Sequence, residues 1–158
     1  MNKIQCGGLI VKRGVALIEV MGFEWAPGEA CSILCEFGDA GIPLSYISIS
    51  NTNDKKRSII FCLDYKYSGK AKEIMNGIEK KLLPQKVTLE DKAVICTLYG
   101  PHFLEKTGLA SEVYASFCQA AIRTWSVCSS INSVSFLISE KDLEPTRKCL
   151  QTRFDWPE

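Results

Sequence analysis

Hydrophobic positions along the chain change period several times, and each change marks an element. VALIEVMG (15–22) and AVICTLYG (93–100) are short β-branched runs closed by glycine. LSYISIS (44–50) and WSVCSSI (125–131) alternate apolar and polar positions, the period of a strand with one buried face. SIIFCLD (58–64) and SVSFLIS (133–139) read as returning strands, and KVTLE (86–90) as a short one. Between 28 and 41 the period lengthens. Ala30, Ile33 or Leu34, Phe37, and Ala40 or Gly41 recur at three-to-four spacing. Ala110, Val113, Phe117, and Ala120 or Ala121 repeat that spacing. Residues 69–83, with Ala71, Ile74, Ile78 and Leu82 inward, and 140–154, with Leu143, Leu150 and Phe154 inward, complete four predicted helices. Pro145 fits the last of them only in its first turn.

The same unit is written twice. VALIEVMG aligns with AVICTLYG at an offset of 78, GEACSILCEFGDAGI (28–42) with GLASEVYASFCQAAI (108–122) at 80, and SIIFCLD with SVSFLIS at 75. The drift falls in loops, where insertions are tolerated. Each copy reads strand–helix–strand–strand–helix–strand. This predicts an α+β fold of two ferredoxin-like βαββαβ units, with helices on one face of antiparallel sheets. The expected domains are 13–90 and 91–158, the second completed by an N-terminal strand at 3–11, since its own last strand is missing. No Gly/Pro/Ser-rich linker separates the copies.

Composition narrows the function. Apolar residues are 46%, charged residues 23%, and the net charge is +1, an ordinary soluble mix without the basic stripe of a nucleic-acid binder. Lys55-Lys56-Arg57 sits among Asn and Asp and reads as a solvated turn. The strands that would carry stacking aromatics in an RNA-recognition module hold one phenylalanine each, with no basic neighbours. No apolar run reaches the ~18 residues of a membrane span, and MNKIQCGGLIVKRG lacks the pattern of a secretory signal, so a cytoplasmic protein is expected. Eight cysteines in that compartment read as reduced, buried apolar residues. There is no CxxC pair and one histidine, His102, expected in a loop. No metal, cofactor or catalytic residue is expected. Glu24, Glu29 and Asp39 are carboxylates whose spacing gives them no shared catalytic role.

The repeated pattern of strand, glycine, Pro-Gly or Thr-Gly, helix, AGI or AAI, strand resembles the ACT domain. The tandem order resembles the regulatory C-terminal part of aspartokinases. YGPHFLEKTGLASEVYASFCQAAI, SSINSVSFLISEKDLEPTRKCL and the terminal RF of the second copy carry the resemblance, with VMGFEWAPGEACSILCEFGDAGIPLSYI of the first. It covers about residues 3–155. The resemblance implies a non-catalytic, amino-acid-binding regulatory module, or a small regulatory subunit, that self-associates as a homodimer or higher oligomer and acts on a kinase subunit. Lysine and threonine are the family-typical effectors. It places the effector at the loop between first strand and first helix, at Phe23, Glu24, Pro27, Gly28, Glu29 and Ala30. Glu24 takes the ammonium, and Ser45, Tyr46 and Ile47 offer backbone partners on the neighbouring strand. Arg123, Ser126 and Val127, on the equivalent strand of the second copy, are further expected contributors. Trp25 is either a packing residue or a pocket wall or interface anchor. Ser45 and Ile49 stand where aspartokinases usually carry an acid and a glutamine. That departure motivates the alternative reading, a structural dimerisation module whose effector site has decayed.

Overall fold

Two long strands each carry a continuous buried run, 15–18 in one and 93–96 in the other, after an exposed polar stretch. The computed structural model describes every residue except 1, 53 and 158. Its elements are β1 (Ile4–Gln5), β2 (Gly8–Glu24), α1 (Glu29–Asp39), β3 (Leu44–Asn51), β4 (Lys56–Asp64), α2 (Ser68–Leu82), β5 (Lys86–Tyr99), α3 (Leu109–Gln119), β6 (Thr124–Ser129), β7 (Ser133–Ser139), α4 (Leu143–Leu150) and β8 (Phe154–Asp155). Asn53, in the expected hairpin tip, lies outside the described residues.

The chain divides into two units, one running from Gly14 to Lys92, the other made of residues up to Arg13 together with those from Ala93 on. β2 and β5 pass through both, so each unit takes part of each strand. In the Gly14–Lys92 unit the strands lie in the order β3–β4–β2–β5. β4 is antiparallel to both β2 and β3. The Gln85 N–H donates to the Met21 carbonyl at 2.9 Å where β5 meets β2. In the other unit the order is β6–β7–β5–β2, and the Gly7 N–H donates to the Tyr99 carbonyl at 2.7 Å. β1 adds a parallel pair with β8, Ile4 opposite Phe154.

The separate runs expected at 3–11 and 15–22, and at 86–90 and 93–100, are each joined into one strand, which continues through exposed Lys12-Arg13-Gly14 and Asp91-Lys92. The expected helix over 140–154 is shorter. A 3-10 turn, Glu140–Asp142, leads into α4, which ends at Leu150, so Phe154 reaches the core from β8. Pro145 does sit in the first turn of α4. Ala110 is exposed, and Leu109 takes the inward position expected of it.

Each unit has its own core between helices and sheet. In Gly14–Lys92, Ala16, Ile18, Val20 and Phe23 of β2 meet Ile33 and Phe37 of α1 and Ala71, Met75 and Ile78 of α2. Phe37 packs edge-on against Phe61 with ring centroids 4.9 Å apart. The second unit repeats the contact between Phe117 and Phe136, also at 4.9 Å. Edge-to-face pairs gain about 0.5–1.5 kcal/mol beyond burial. The repeat seen in the sequence is therefore a repeat of packing.

Of the eight cysteines, Cys6, Cys62, Cys96 and Cys149 are buried, as expected. Cys31, Cys35, Cys118 and Cys128 are exposed, against expectation. The first two lie off the Ala30–Ile33–Phe37 stripe of α1, so the helix turns them outward. Among the described residues no helix is long and apolar enough to cross a membrane.

Candidate functional site

A β-bulge sets the site. Met21 faces Ser58 and Phe23 faces Arg57 across the β2–β4 ladder, so Gly22 is an extra residue, and it takes φ +71°. An extra residue re-aims everything after it. Phe23 consequently turns into the core, where it is fully buried, and Glu24 falls opposite Lys56 and faces out. The chain then passes through Trp25, Ala26 and Pro27 and enters α1 at Gly28.

Gly28 holds φ +97°, a conformation glycine adopts without penalty, and a Cβ built there meets nothing within 4 Å. The Ser32 N–H donates to the Gly28 carbonyl at 2.7 Å, which starts the helix. No side chain caps this end, and although the Glu29 N–H reaches the Ala26 carbonyl at 3.4 Å, the positive end of the helix dipole has no side-chain partner. Pro27 and Gly28 are exposed, Glu29 is half-buried in the first turn, and Ala30 is buried beneath it.

Charge of both signs surrounds the loop. Glu24 forms an ion pair with the Lys56 ammonium. The Arg57 guanidinium lies 5.5 Å from the centre of the Trp25 ring, and its Nε donates to Asn51 Oδ1 at 3.0 Å. The Trp25 N–H donates to the Lys55 carbonyl at 2.9 Å, while half of its surface stays exposed. Lys56 and Arg57 are thus not a solvated turn. They open β4 and clasp the β2–α1 loop. Their signal lay in the hairpin register, since a strand returning beside β2 had to place its first residues against Phe23 and Glu24.

On β3, the Ser45 hydroxyl donates to the Cys62 carbonyl at 3.3 Å, Tyr46 is buried, and Ile47 is half exposed. Phe23, Glu24, Pro27–Ala30 and Ser45–Ile47 all belong to the Gly14–Lys92 unit. Arg123, Ser126 and Val127 belong to the other. Arg123 is exposed just ahead of β6, while Ser126 and Val127 are half-buried within it, opposite Leu137 and Phe136. That unit repeats the helix entry. Gly108 precedes α3 at φ +79°, but there the Ser111 hydroxyl folds back to donate to the Gly108 carbonyl at 2.6 Å. His102, exposed, sits ahead of a 3-10 turn with Nδ1 3.8 Å from Glu105.

Each unit thus brings a left-handed glycine to a helix N-terminus, Gly28 open and Gly108 closed over by Ser111. No family model matches the chain. Over 94% of its length it is 24% identical to an aspartate kinase of Pseudomonas fluorescens, of which it spans 36%. It superposes on the ligand-free regulatory subunit of aspartate kinase from Thermus thermophilus with a TM-score of 0.84 at 13% identity, covering 95% of this chain and 99% of that one. It also matches E. coli aspartokinase III, solved with lysine and aspartate, with a TM-score of 0.71 at 18% identity, covering 98% of this chain and 34% of that one. The chain has the fold of the aspartokinase regulatory region, and its homologues are aspartokinases, of whose length it spans little more than a third.

Proposed function

We propose that residues 1–158 are a non-catalytic regulatory module of the aspartokinase type that binds a free amino acid, lysine or threonine first among the candidates, at the β2–α1 loop. The observation that carries this reading is Gly28. Its left-handed backbone opens a space in front of the uncapped start of α1. A carboxylate there meets the first-turn N–H groups, as anions do at helix starts. Glu24, on the same loop, supplies the opposite charge that an ammonium needs. To receive it, Glu24 exchanges Lys56 for the ligand, which is feasible because the Glu24 carboxylate faces solvent, where an ion pair is worth little. The regulated partner in this reading is an aspartate kinase catalytic subunit or region.

The test is a thermal-shift series with free amino acids at millimolar concentration. A ligand at a hundred times its Kd adds about 2.7 kcal/mol to the folded state, a rise of several degrees for a chain of this size. Lysine or threonine should raise Tm, and Glu24→Gln, which removes the charge that would meet the ammonium, should abolish most of the rise while the far-UV spectrum stays unchanged. If no amino acid moves Tm, the sensing role is wrong.

A second reading, a self-associating module with a decayed site, is favoured by two engaged groups: Glu24 is already paired, and the Ser45 hydroxyl is spent on β4. Under it, no amino acid shifts Tm, yet light scattering reports more than one chain per particle.

A further inference from the structure

On the outer face of α1, Cys31 and Cys35 lie one turn apart with their sulfurs 3.6 Å from each other. Both are exposed and both are free thiols. Cys118 and Cys128, the other exposed thiols among the described residues, lie apart from each other in sequence, one on α3 and one on β6. Two accessible thiols held in contact on a rigid element are more than two reactive residues, because a single atom can engage both.

Distances decide what kind of atom. A disulfide needs its Cβ atoms about 3.5–4.5 Å apart. Residues i and i+4 of a helix hold them at about 5–6 Å. A direct S–S bond between Cys31 and Cys35 therefore requires the first turn of α1 to unwind. A bridging atom does not. Two sulfurs each about 2.3 Å from a common centre are about 3.4–3.8 Å apart for bond angles from pyramidal to tetrahedral, a span that contains the 3.6 Å observed. Among the described residues no third His, Cys, Asp or Glu joins the pair in a ligating cluster. An ion that demands four protein ligands is not served, whereas a soft centre satisfied by two thiolates is.

The surroundings suit exchange of protons for such a centre. The hydrogen bond to Cys31 and the charge of that neighbouring sulfur, with smaller contributions from Asp39 and Glu36, push the Cys35 thiol up from its ordinary range. Lys81 of α2, 3.4 Å from the Ser32 hydroxyl and 3.9 Å from Glu36, brings a positive charge to the same face.

We propose that Cys31 and Cys35 form a dithiol site for a soft, thiophilic centre of the trivalent-arsenic type, chelated by both sulfurs across one turn of α1. With phenylarsine oxide as probe the step balances without oxidation. Two As–S bonds form, the As–O bonds break, and the oxygen leaves as water with the two thiol protons. The site stands whether or not the β2–α1 loop binds an amino acid, since its readout is thiol chemistry.

The test uses the full chain with one equivalent of phenylarsine oxide. Intact mass should show one adduct per chain that survives excess 2-mercaptoethanol and is released by 2,3-dimercaptopropanol. Cys31→Ser and Cys35→Ser should each weaken binding at least tenfold, and the Cys118→Ser/Cys128→Ser variant should bind unchanged. In the unmodified chain the adduct should shield Cys31 and Cys35, and no other thiol, from maleimide, which keeps the test decisive if a serine variant misfolds. The helical far-UV signal should persist on binding. Protection elsewhere, retention of the adduct by Cys31→Ser, or loss of helix on binding would each overturn the proposal.

Discussion

At the residue scale the two units differ where their helices end. α1 closes with Ile42 donating to the Phe37 carbonyl at 3.0 Å, and α3 with Ile122 donating to the Phe117 carbonyl at 2.9 Å. Both closures bend the chain through a left-handed residue, which the capping pattern requires. In the first unit it is Gly41 at φ +70°, in the second Ala121 at φ +53°. An alanine there carries a steric cost of about 1–2 kcal/mol, offset in part by its smaller loss of chain entropy. Ala121→Gly should therefore stabilise by roughly 0.5–1 kcal/mol and Gly41→Ala should destabilise by a similar amount. A Cβ at Gly41 meets nothing within 4 Å, so backbone conformation alone sets the loss. Urea midpoints check both, and a fall for Ala121→Gly would refute the argument. Residues such as these were legible as a pair, AGI against AAI. The clasp of Lys56 and Arg57 on the loop was not, because it depends on a register that one strand's sequence does not state.

At the element scale, periodicity served well wherever one face of an element is buried. SVSFLIS spans β7 residue for residue, and α1 and α2 lie within about two residues of expectation. It failed where a strand is polar across its width. VKRG and LEDK look like breaks because nothing there needs to face a core, yet the ladder continues. It also failed at the end of α4, where the helix stops before Phe154 and a strand delivers the ring instead. β3 carries a different signal. It lies at the end of its sheet order, with Ile47 and Ile49 nearly half exposed. Unpaired edges invite another chain, and a lysine on the edge blocks it. If β3 is where copies meet, light scattering at micromolar concentration should show a dimer that Ile47→Lys converts to a monomer. A dimer that survives the substitution places the contact on another surface.

At the scale of the whole molecule, burial controls how the fold meets alkali. Burial pushes the Cys96 thiol from an ordinary 9.0 up to about 12, and Cys6 up to about 11. The unfolded chain ionises these thiols above pH 9, while the folded chain keeps their protons. The unfolded state thus binds fewer protons, and stability falls as pH rises. The contribution is intact below pH 9 and is lost between pH 9 and about 12. Urea midpoints should hold from pH 7 to 9 and drop beyond, and the drop should be smaller in Cys96→Val. The division of the chain has a consequence for its birth. Residues 14–92 interrupt the sequence of the other unit, whose strands come from both sides of them along the chain. A ribosome can release the inner unit finished, while Ile4 must wait for Phe154 to emerge before β1 has a mate. Emergence at roughly 5–20 residues per second makes that wait many seconds long. Residues 3–13 spend it as an unmatched sticky ribbon, which gives their Lys3, Lys12 and Arg13 charges a solubilising duty before the fold exists.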